Sequence, residues 1–177
     1  MVDYLQQYPN ILTQFKEWKS SSDGQIIFDS RAQNWSKSTS EFTTTLKGKK
    51  KIFIVINDMD GNIFGGFISK EITNENEWIT DDNAFLFTIE SNQRIATPTK
   101  YPIKAEKAEH AFIMFGDDFD LLFQFGYGYD IVVCKQDHLQ NLNSGVNETS
   151  FDFQKIKNPL ITGKTFVPMR IVVIEMN

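Results

Sequence analysis

The sequence predicts a mostly β fold of the α+β class: a sandwich of two antiparallel sheets with helices at its periphery and an amphipathic helix at its N-terminus. First, short runs of β-branched and aromatic residues recur along the chain, separated by turn residues. Second, sixteen of the 177 residues are Phe, many at near-alternating positions, which favours a large aromatic core between sheets. The length is that of one domain, with room for a short arm.

The N-terminal segment, residues 3–19, has an amphipathic pattern. Its apolar residues recur at spacings of three and four, and Pro9 suits the first turn of a helix. Residues 20–24, Ser-Ser-Ser-Asp-Gly, are typical of a linker. We therefore expect an arm at residues 1–22 and a separate unit at residues 23–177. The apolar stripe of the arm would pack on that unit or bind a partner or a second copy.

Strand patterns dominate after the linker. One short helix is expected to begin near Ser38 or Thr39, with Glu41 capping its first turn. Residues 100–101 indicate an extended, irregular segment between two prolines, and residues 141–152 a polar loop. The predicted strands, in order, are residues 25–29, 51–56, 63–68, 83–89, 111–115, 120–125, 130–134 and 166–175.

The stretch Asn57–Ser69 resembles the opening of a calcium loop, but its spacing is wrong for one. An EF-hand loop with Gly61 at its sixth position would begin at Ile56 and end at Phe67, where calcium needs oxygen ligands. The flanking segments also have strand patterns. Asp60-Gly61 between two strands is typical of a tight hairpin, because glycine adopts a positive φ without steric cost.

Composition restricts the function classes. The net charge of −5 and the pI near 5.0 argue against broad electrostatic binding to nucleic acid or to anionic membranes. One cysteine excludes an intramolecular disulfide. The N-terminus lacks the pattern of a signal peptide, and no apolar run is long enough for a membrane span. We therefore expect a soluble, cytoplasmic protein, and we interpret the two glycosylation sequons as coincidental.

The single thiol is the first candidate for chemistry. Cys134 lies four residues before His138, and His110 is the other histidine. A nucleophilic thiol needs a nearby imidazole and a lowered pKa, whereas Cys134 ends a β-branched run in which a buried, inert thiol is the usual occupant. A redox role for Cys134 stays open, although no second cysteine exists to resolve an oxidised one.

Other motifs give no catalytic or cofactor site. Two histidines and one cysteine match no zinc spacing, and Gly126-Tyr127-Gly128 lacks the third glycine of a dinucleotide loop, so we expect no metal and no cofactor. The basic cluster Lys47–Lys51 would be a small nucleic-acid patch or, more simply, a solvated loop. Four aspartates could gather around a cation or simply terminate strands: Asp117, Asp118, Asp120 and Asp130.

Several segments, taken in order, resemble the TLDc domain family, which is found in oxidation-resistance proteins and in several vesicle-traffic and lysosomal proteins. The resemblance covers about residues 25–177, and its most specific part is the hairpin Asp60-Gly61-Asn62-Ile63-Phe64-Gly65 followed by Phe85-Leu86-Phe87. The chain departs from the family pattern at Asn143–Thr149, where a cysteine of some members is absent, and at Gly116–Phe119. The other matching segments are residues 27–31, 36–42 (as a short helix), 52–56, 144–145, 149–151, 158–160 and 166–176.

The resemblance implies a two-sheet sandwich edged by helices, a role in resistance to oxidative stress, and binding to the vacuolar proton-pumping ATPase (V-ATPase). It implies no agreed catalytic residues. The expected contact features are the loops Asp58–Asn62 and Asp117–Asp120 and the terminal Glu175, which could instead pair with Arg31 or Arg170. The structural signature comprises Asp60, Gly61, Phe64, Gly65, Phe85, Phe87 and Glu175.

Three functional hypotheses follow. The first is a non-enzymatic module that binds a protein partner. The second is an antioxidant or enzyme that uses the Cys134 thiol. The third, which the acidic charge balance makes least favourable, is a nucleic-acid binder that uses Lys47–Lys51.

Overall fold

The computed structural model describes residues 3–138 and 144–177, which form two antiparallel sheets and a helical layer. The helices are α1 (Tyr4–Gln7), α2 (Pro9–Lys19) and α3 (Phe42–Leu46), with 3₁₀ turns at Ala105–His110 and Gln136–His138. The strands are β1 (Gly24–Asp29), β2 (Ile52–Asp58), β3 (Ile63–Ile68), β4 (Phe85–Glu90), β5 (Thr99–Pro102), β6 (Phe112–Met114), β7 (Leu121–Phe125), β8 (Ile131–Cys134), β9 (Ser144–Val146), β10 (Thr165–Phe166) and β11 (Pro168–Met176).

The larger sheet has six strands in the order β1-β11-β2-β3-β4-β5, and the smaller has five in the order β10-β9-β8-β7-β6. The C-terminal strand β11 lies between β1 and β2, so the first and last strands of the chain pair within one sheet. The sheets approach closely at Gly66, where a Cβ atom would lie 2.4 Å from the Phe125 ring of the smaller sheet. A glycine is therefore required for this packing.

Two hydrophobic clusters fill the molecule, one on each face of the six-stranded sheet. The inner cluster lies between the two sheets and includes Phe28, Phe64 and Phe125. The outer cluster lies under α1 and α2, where Phe15 stacks on Phe53 with 3.7 Å between ring centroids. Strands β2 and β3 are buried on both faces, which explains their almost continuous apolar sequence.

The predicted fold class is confirmed, with two antiparallel sheets and few, short helices. The N-terminal helix forms as predicted, with Pro9 at its first position, and its apolar stripe packs on the chain's own sheet. Contrary to the prediction, the aromatic residues are not confined to the space between the sheets. Four Phe of the six-stranded sheet and Phe15 of α2 form part of the outer cluster: Phe15, Phe53, Phe67, Phe85 and Phe87.

The helix expected after β1 begins later than predicted. Ser38 has a positive φ of 65° and residues 36–39 form a turn, so the helix α3 starts only at Phe42. Glu41 occupies the N-cap position and not the first turn, and its side chain makes no capping hydrogen bond, because its carboxylate accepts the Asn34 backbone N–H at 2.7 Å. The predicted capping arrangement, and a helix at residues 36–42, are therefore wrong.

The sheet edges also differ from the prediction. Residues 100–101, expected to be extended but irregular, belong to the regular edge strand β5, and residues 144–146 of the predicted polar loop form β9. Residues 141–143 of that loop lie outside the described part of the chain. The single long strand predicted at 166–175 is divided at Val167: β10 joins the smaller sheet and β11 the larger one.

Candidate functional surface

The signature hairpin is closed by its own side chains. Gly61 has a positive φ of 82° and its N–H donates to the Asp58 carbonyl, which makes a three-residue loop with glycine in the left-handed position. The Asp58 carboxylate accepts the backbone N–H groups of Asp60 and Asn62 and the Asn62 amide, at 2.6–3.0 Å. Both Asp58 carboxylate oxygens therefore accept hydrogen bonds from within the turn. The residues that suggest calcium serve the hairpin.

Arg94 holds this hairpin to the rest of the domain. Its guanidinium donates to the Asn62 side chain at 2.9 Å and to the carbonyls of Asn158 and Leu160. The Asn92 amide adds a bond to the Asp60 carbonyl at 2.6 Å. Two side-chain donors from outside the hairpin, Arg94 and Asn92, thus hold the turn, and it is a rigid surface feature.

The other signature residues belong to the two cores. Phe64 faces the inner cluster, whereas Phe85 and Phe87 face the outer one under the helices. Gly65 has no room for a side chain, since a Cβ atom would lie 1.9 Å from the Ile54 carbonyl oxygen and 2.9 Å from the Phe87 ring. Among the hairpin signature residues, Asp60 and Gly61 are therefore at the surface and the rest hold strands together.

A cleft of about 430 Å³ opens beside the hairpin turn. Its apolar rim consists of Met59 and Met169, whose exposed fractions are 65% and 56%. Val167, two residues before Met169, is also exposed, and its carbonyl accepts the Met59 N–H at 3.0 Å. We call Met59, Val167 and Met169 the hairpin-end patch. Gln7 and Tyr8 of the helical layer and Arg31 line other walls of the cleft.

A buried ion pair lies behind this cleft. The Arg170 guanidinium, almost fully buried, donates to both Asp29 carboxylate oxygens and lies over the Tyr4 ring. Burial alone would raise the pKa of Asp29, but the hydrogen bonds from Arg170 and the Arg31 N–H outweigh it and hold that pKa below its ordinary value. Burial raises the pKa of Tyr4, whose hydroxyl donates to Asn57 at 2.7 Å.

The Asp117–Asp120 turn lies elsewhere, near α3, because Thr43 of that helix donates to the Phe115 carbonyl. Its centre is occupied by the buried Lys135 ammonium, which donates to the carbonyls of Gly116 and Phe119 at 2.6 and 2.7 Å. Burial lowers the pKa of Lys135. Lys37 pairs with Asp120 at 2.6 Å. The positive charge at this turn, where the sequence suggested a bound cation, is therefore supplied by Lys135 and Lys37.

Asp130 does not join the other three aspartates. Its buried carboxylate accepts the backbone N–H groups of Thr149, Ser150 and Phe151 and the Thr149 hydroxyl. In the described part of the chain, no group of three or more His, Cys, Asp or Glu side chains could hold a metal ion.

Cys134 is buried, with 1% of its surface exposed. Burial raises the pKa of its thiol, which is the opposite of what nucleophilic activation needs. His110 packs instead against Trp78 and Tyr127, with ring centroids 5.1 and 5.0 Å away. The side chain of His138, the predicted neighbour of Cys134, lies outside the described residues.

Glu175 and the basic cluster form one feature. Lys49 pairs with Glu175 at 3.0 Å, so the predicted pairing of Glu175 with Arg31 or Arg170 is wrong. Residues 48–51 are hydrogen-bonded to Ile72, Ser69 and Met176, as a connection between α3 and β2. In the β11–β2 register, Glu175 lies opposite Ile52, the first residue of β2, whereas Asp58 is the last residue of that strand. Glu175 and the hairpin turn are therefore at opposite ends of the sheet, about 20 Å apart.

Sequence reasoning missed the buried polar residues that fix loops. Asp81 accepts the backbone N–H groups of Ser69 and Asn83, and Arg94, Asp130 and Lys135 act similarly on the loops described above. Such residues look like ordinary surface charges in one sequence. Two of them gave a signal: Lys135 directly follows an apolar strand, and Asp130 is one of the aspartates expected to terminate strands.

The family comparison agrees with this architecture. A family model for the TLDc domain matches residues 4–175. The chain belongs to the TLDc domain family. The match includes α1 and α2, which contribute Tyr4, Ile11 and Phe15 to the outer cluster. A separation of residues 1–22 from 23–177 stays a prediction. A search of curated proteins finds no match, and no helix of the described residues is long and apolar enough to span a membrane.

Proposed function

We propose that this TLDc protein acts by binding a protein partner, not by chemistry of its own, in resistance to oxidative stress, and that the partner is the V-ATPase. We also propose that it works in the cytoplasm and reaches vesicles through that partner. Family membership supports both roles, since they are the ones that TLDc resemblance implies.

The hairpin-end patch is the observation that carries the proposal. Met59, Val167 and Met169 are exposed apolar side chains. Met59 lies on a turn that hydrogen bonds hold rigid, and Val167 and Met169 lie beside it, just before and at the start of β11. A rigid apolar patch with a polar surround is typical of protein interaction sites, because little conformational entropy is lost on binding. The alternative contact features are less suitable: Glu175 is paired with Lys49, and the Asp117–Asp120 turn presents Phe119 alone among the exposed large apolar residues.

The thiol hypothesis has less support. The Cys134 side chain is buried and its thiol pKa is raised, so neither access nor thiolate formation favours reaction with peroxide. This hypothesis requires Cys134→Ser to abolish protection of cells against oxidants. The binding proposal requires protection to survive that substitution.

Affinity purification of the tagged full-length protein, followed by mass spectrometry, tests the proposal. We expect V-ATPase subunits with the wild type and with Cys134→Ser. We expect recovery at least about five-fold lower with Met59→Glu, since a charge in a desolvated contact costs on the order of 1–3 kcal/mol. Phe119→Glu is the matched control, an exposed apolar residue on the other sheet. Absence of pump subunits with every variant would reject the proposal.

A further inference from the structure

The sulfur-containing side chains divide into two groups by exposure. Met59 and Met169 are exposed by 65% and 56%, whereas Met114, Met176 and Cys134 are exposed by 3% or less. Met1 lies outside the described residues. Both exposed thioethers belong to the hairpin-end patch and line the same cleft.

The backbone explains why these two methionines point outward. Met59 is the first residue of the hairpin loop after β2. Met169 lies where the β11–β2 pairing shifts register between Pro168 and Arg170, as in a β-bulge. A bulge changes the direction of the side chains around it. Arg170 therefore lies inside against Asp29 while Met169 faces solvent.

We propose that Met59 and Met169 are modification sites that two-electron oxidants of the peroxide class convert to methionine sulfoxide. A sulfur lone pair attacks one peroxide oxygen, the S–O bond forms, and the O–O bond breaks. The sulfur loses two electrons. The hydroxide that leaves is protonated to water, so thioether and hydrogen peroxide give sulfoxide and water.

The modification would change the surface and not the core. Sulfoxide formation converts a flexible apolar side chain into a polar one. The backbone under the patch is held by Asp58, Arg94 and the Arg170–Asp29 pair, none of which contains sulfur. Oxidation therefore makes the apolar rim of the cleft polar while the fold is kept. This inference does not depend on the identity of the binding partner.

Limited oxidation of the full-length protein with hydrogen peroxide, followed by peptide mapping, tests the inference. Met59, Met169 and Met176 fall in different tryptic peptides, and Met1 is in a fourth, so each can be followed separately. We expect Met59 and Met169 each to gain one oxygen, about 16 Da, at least about ten-fold faster than Met114 and Met176. Cys134 should react with an alkylating reagent only after unfolding.

Variants and a reversal step complete the test. Met59→Leu and Met169→Leu should each remove one of the fast additions, whereas Met114→Leu should keep both. Treatment with methionine sulfoxide reductases should restore the original mass, and the oxidised protein should keep its near-ultraviolet circular dichroism. Equal oxidation rates at buried and exposed methionines, or modification first at Cys134, would overturn the inference.

Discussion

At the residue scale, the Asp29–Arg170 pair is the ion pair that joins the end of β1 to β11 beside the cleft. Arg170 is buried, so solvent cannot reach most of its guanidinium. The Asp29 carboxylate therefore supplies most of the compensation of its positive charge. Removing one partner of a buried pair leaves the other uncompensated and is much more costly than removing both.

We predict that Asp29→Asn lowers the free energy of unfolding by about 3 kcal/mol at pH 7, measured by urea denaturation. The pair also gives a pH dependence. Because the pKa of Asp29 is lower in the folded than in the unfolded state, the pair contributes stability above the ordinary carboxyl range. That contribution is lost as the pH falls below about 4.

The difference between wild type and Asp29→Asn should therefore be largest at pH 7 and should shrink progressively below about pH 4, as the pH falls toward the lowered pKa of Asp29. Asp82→Asn, at an exposed position, serves as the control and should change stability by less than about 0.5 kcal/mol. A gap between wild type and Asp29→Asn that stays constant with pH would show that the carboxylate charge does not stabilise the fold.

At this scale the sequence predicted which apolar residues are buried, but it did not predict the hydrogen-bond partners of the buried charged residues. Burial of Cys134 followed from the β-branched run before it. The roles of Arg94, Asp130 and Lys135 depend on loops that come from distant parts of the chain, up to 66 residues away for Arg94 and Leu160. Local pattern contains no information about such partners.

At the element scale, the helix α2 packs on the outer face of the six-stranded sheet. Phe15 is fully buried and contacts the rings of Phe53, Phe87 and Trp18. We predict that Phe15→Ala lowers the free energy of unfolding by about 3–5 kcal/mol, because it removes a ring from a close-packed cluster.

Thr13→Ala, on the exposed face of the same helix, is the matched control and should cost less than about 0.5 kcal/mol. Both values come from urea denaturation followed by circular dichroism. If Phe15→Ala were as mild as Thr13→Ala, the helix would not be packed on the sheet in solution.

The signature hairpin allows a second comparison, between two glycines that are needed for different reasons. Gly61→Ala meets no close contact, its nearest neighbour being Asn92 at 3.5 Å, but it must adopt a positive φ, at a cost of roughly 1–2 kcal/mol. Gly65→Ala would place Cβ 1.9 Å from a backbone oxygen. We predict a cost of at least about 3 kcal/mol at Gly65.

Thermal unfolding of the two variants checks this order, since each adds one methyl group to the same hairpin. A larger loss of stability at Gly61 than at Gly65 would contradict the packing of β2 against β3. The sequence predicted this hairpin because the Asp-Gly turn and its two apolar flanks are local signals. The sequence did not predict the start of α3 correctly. There the backbone N–H of Asn34, seven residues earlier, donates to the carboxylate of Glu41, the residue expected to cap the helix.

At the scale of the whole molecule, the domain has three layers: two helices, a six-stranded sheet and a five-stranded sheet. The sequence predicted two sheets because alternation and short strands are visible locally. It could not show that β11 inserts between β1 and β2, or that β10 and β11 join different sheets, since strand order depends on long-range pairing. The position of the hairpin-end patch follows from that order, because Met169 meets Met59 only through the β2–β11 pairing.

The most direct test of the account is the affinity of the purified full-length protein for purified V-ATPase, measured for wild type, Cys134→Ala and Met59→Glu. We expect saturable binding that Cys134→Ala leaves unchanged and that Met59→Glu weakens by at least about five-fold. Loss of binding in Cys134→Ala, in a variant that stays folded, or no binding by the wild type at all, would contradict a function based on this surface.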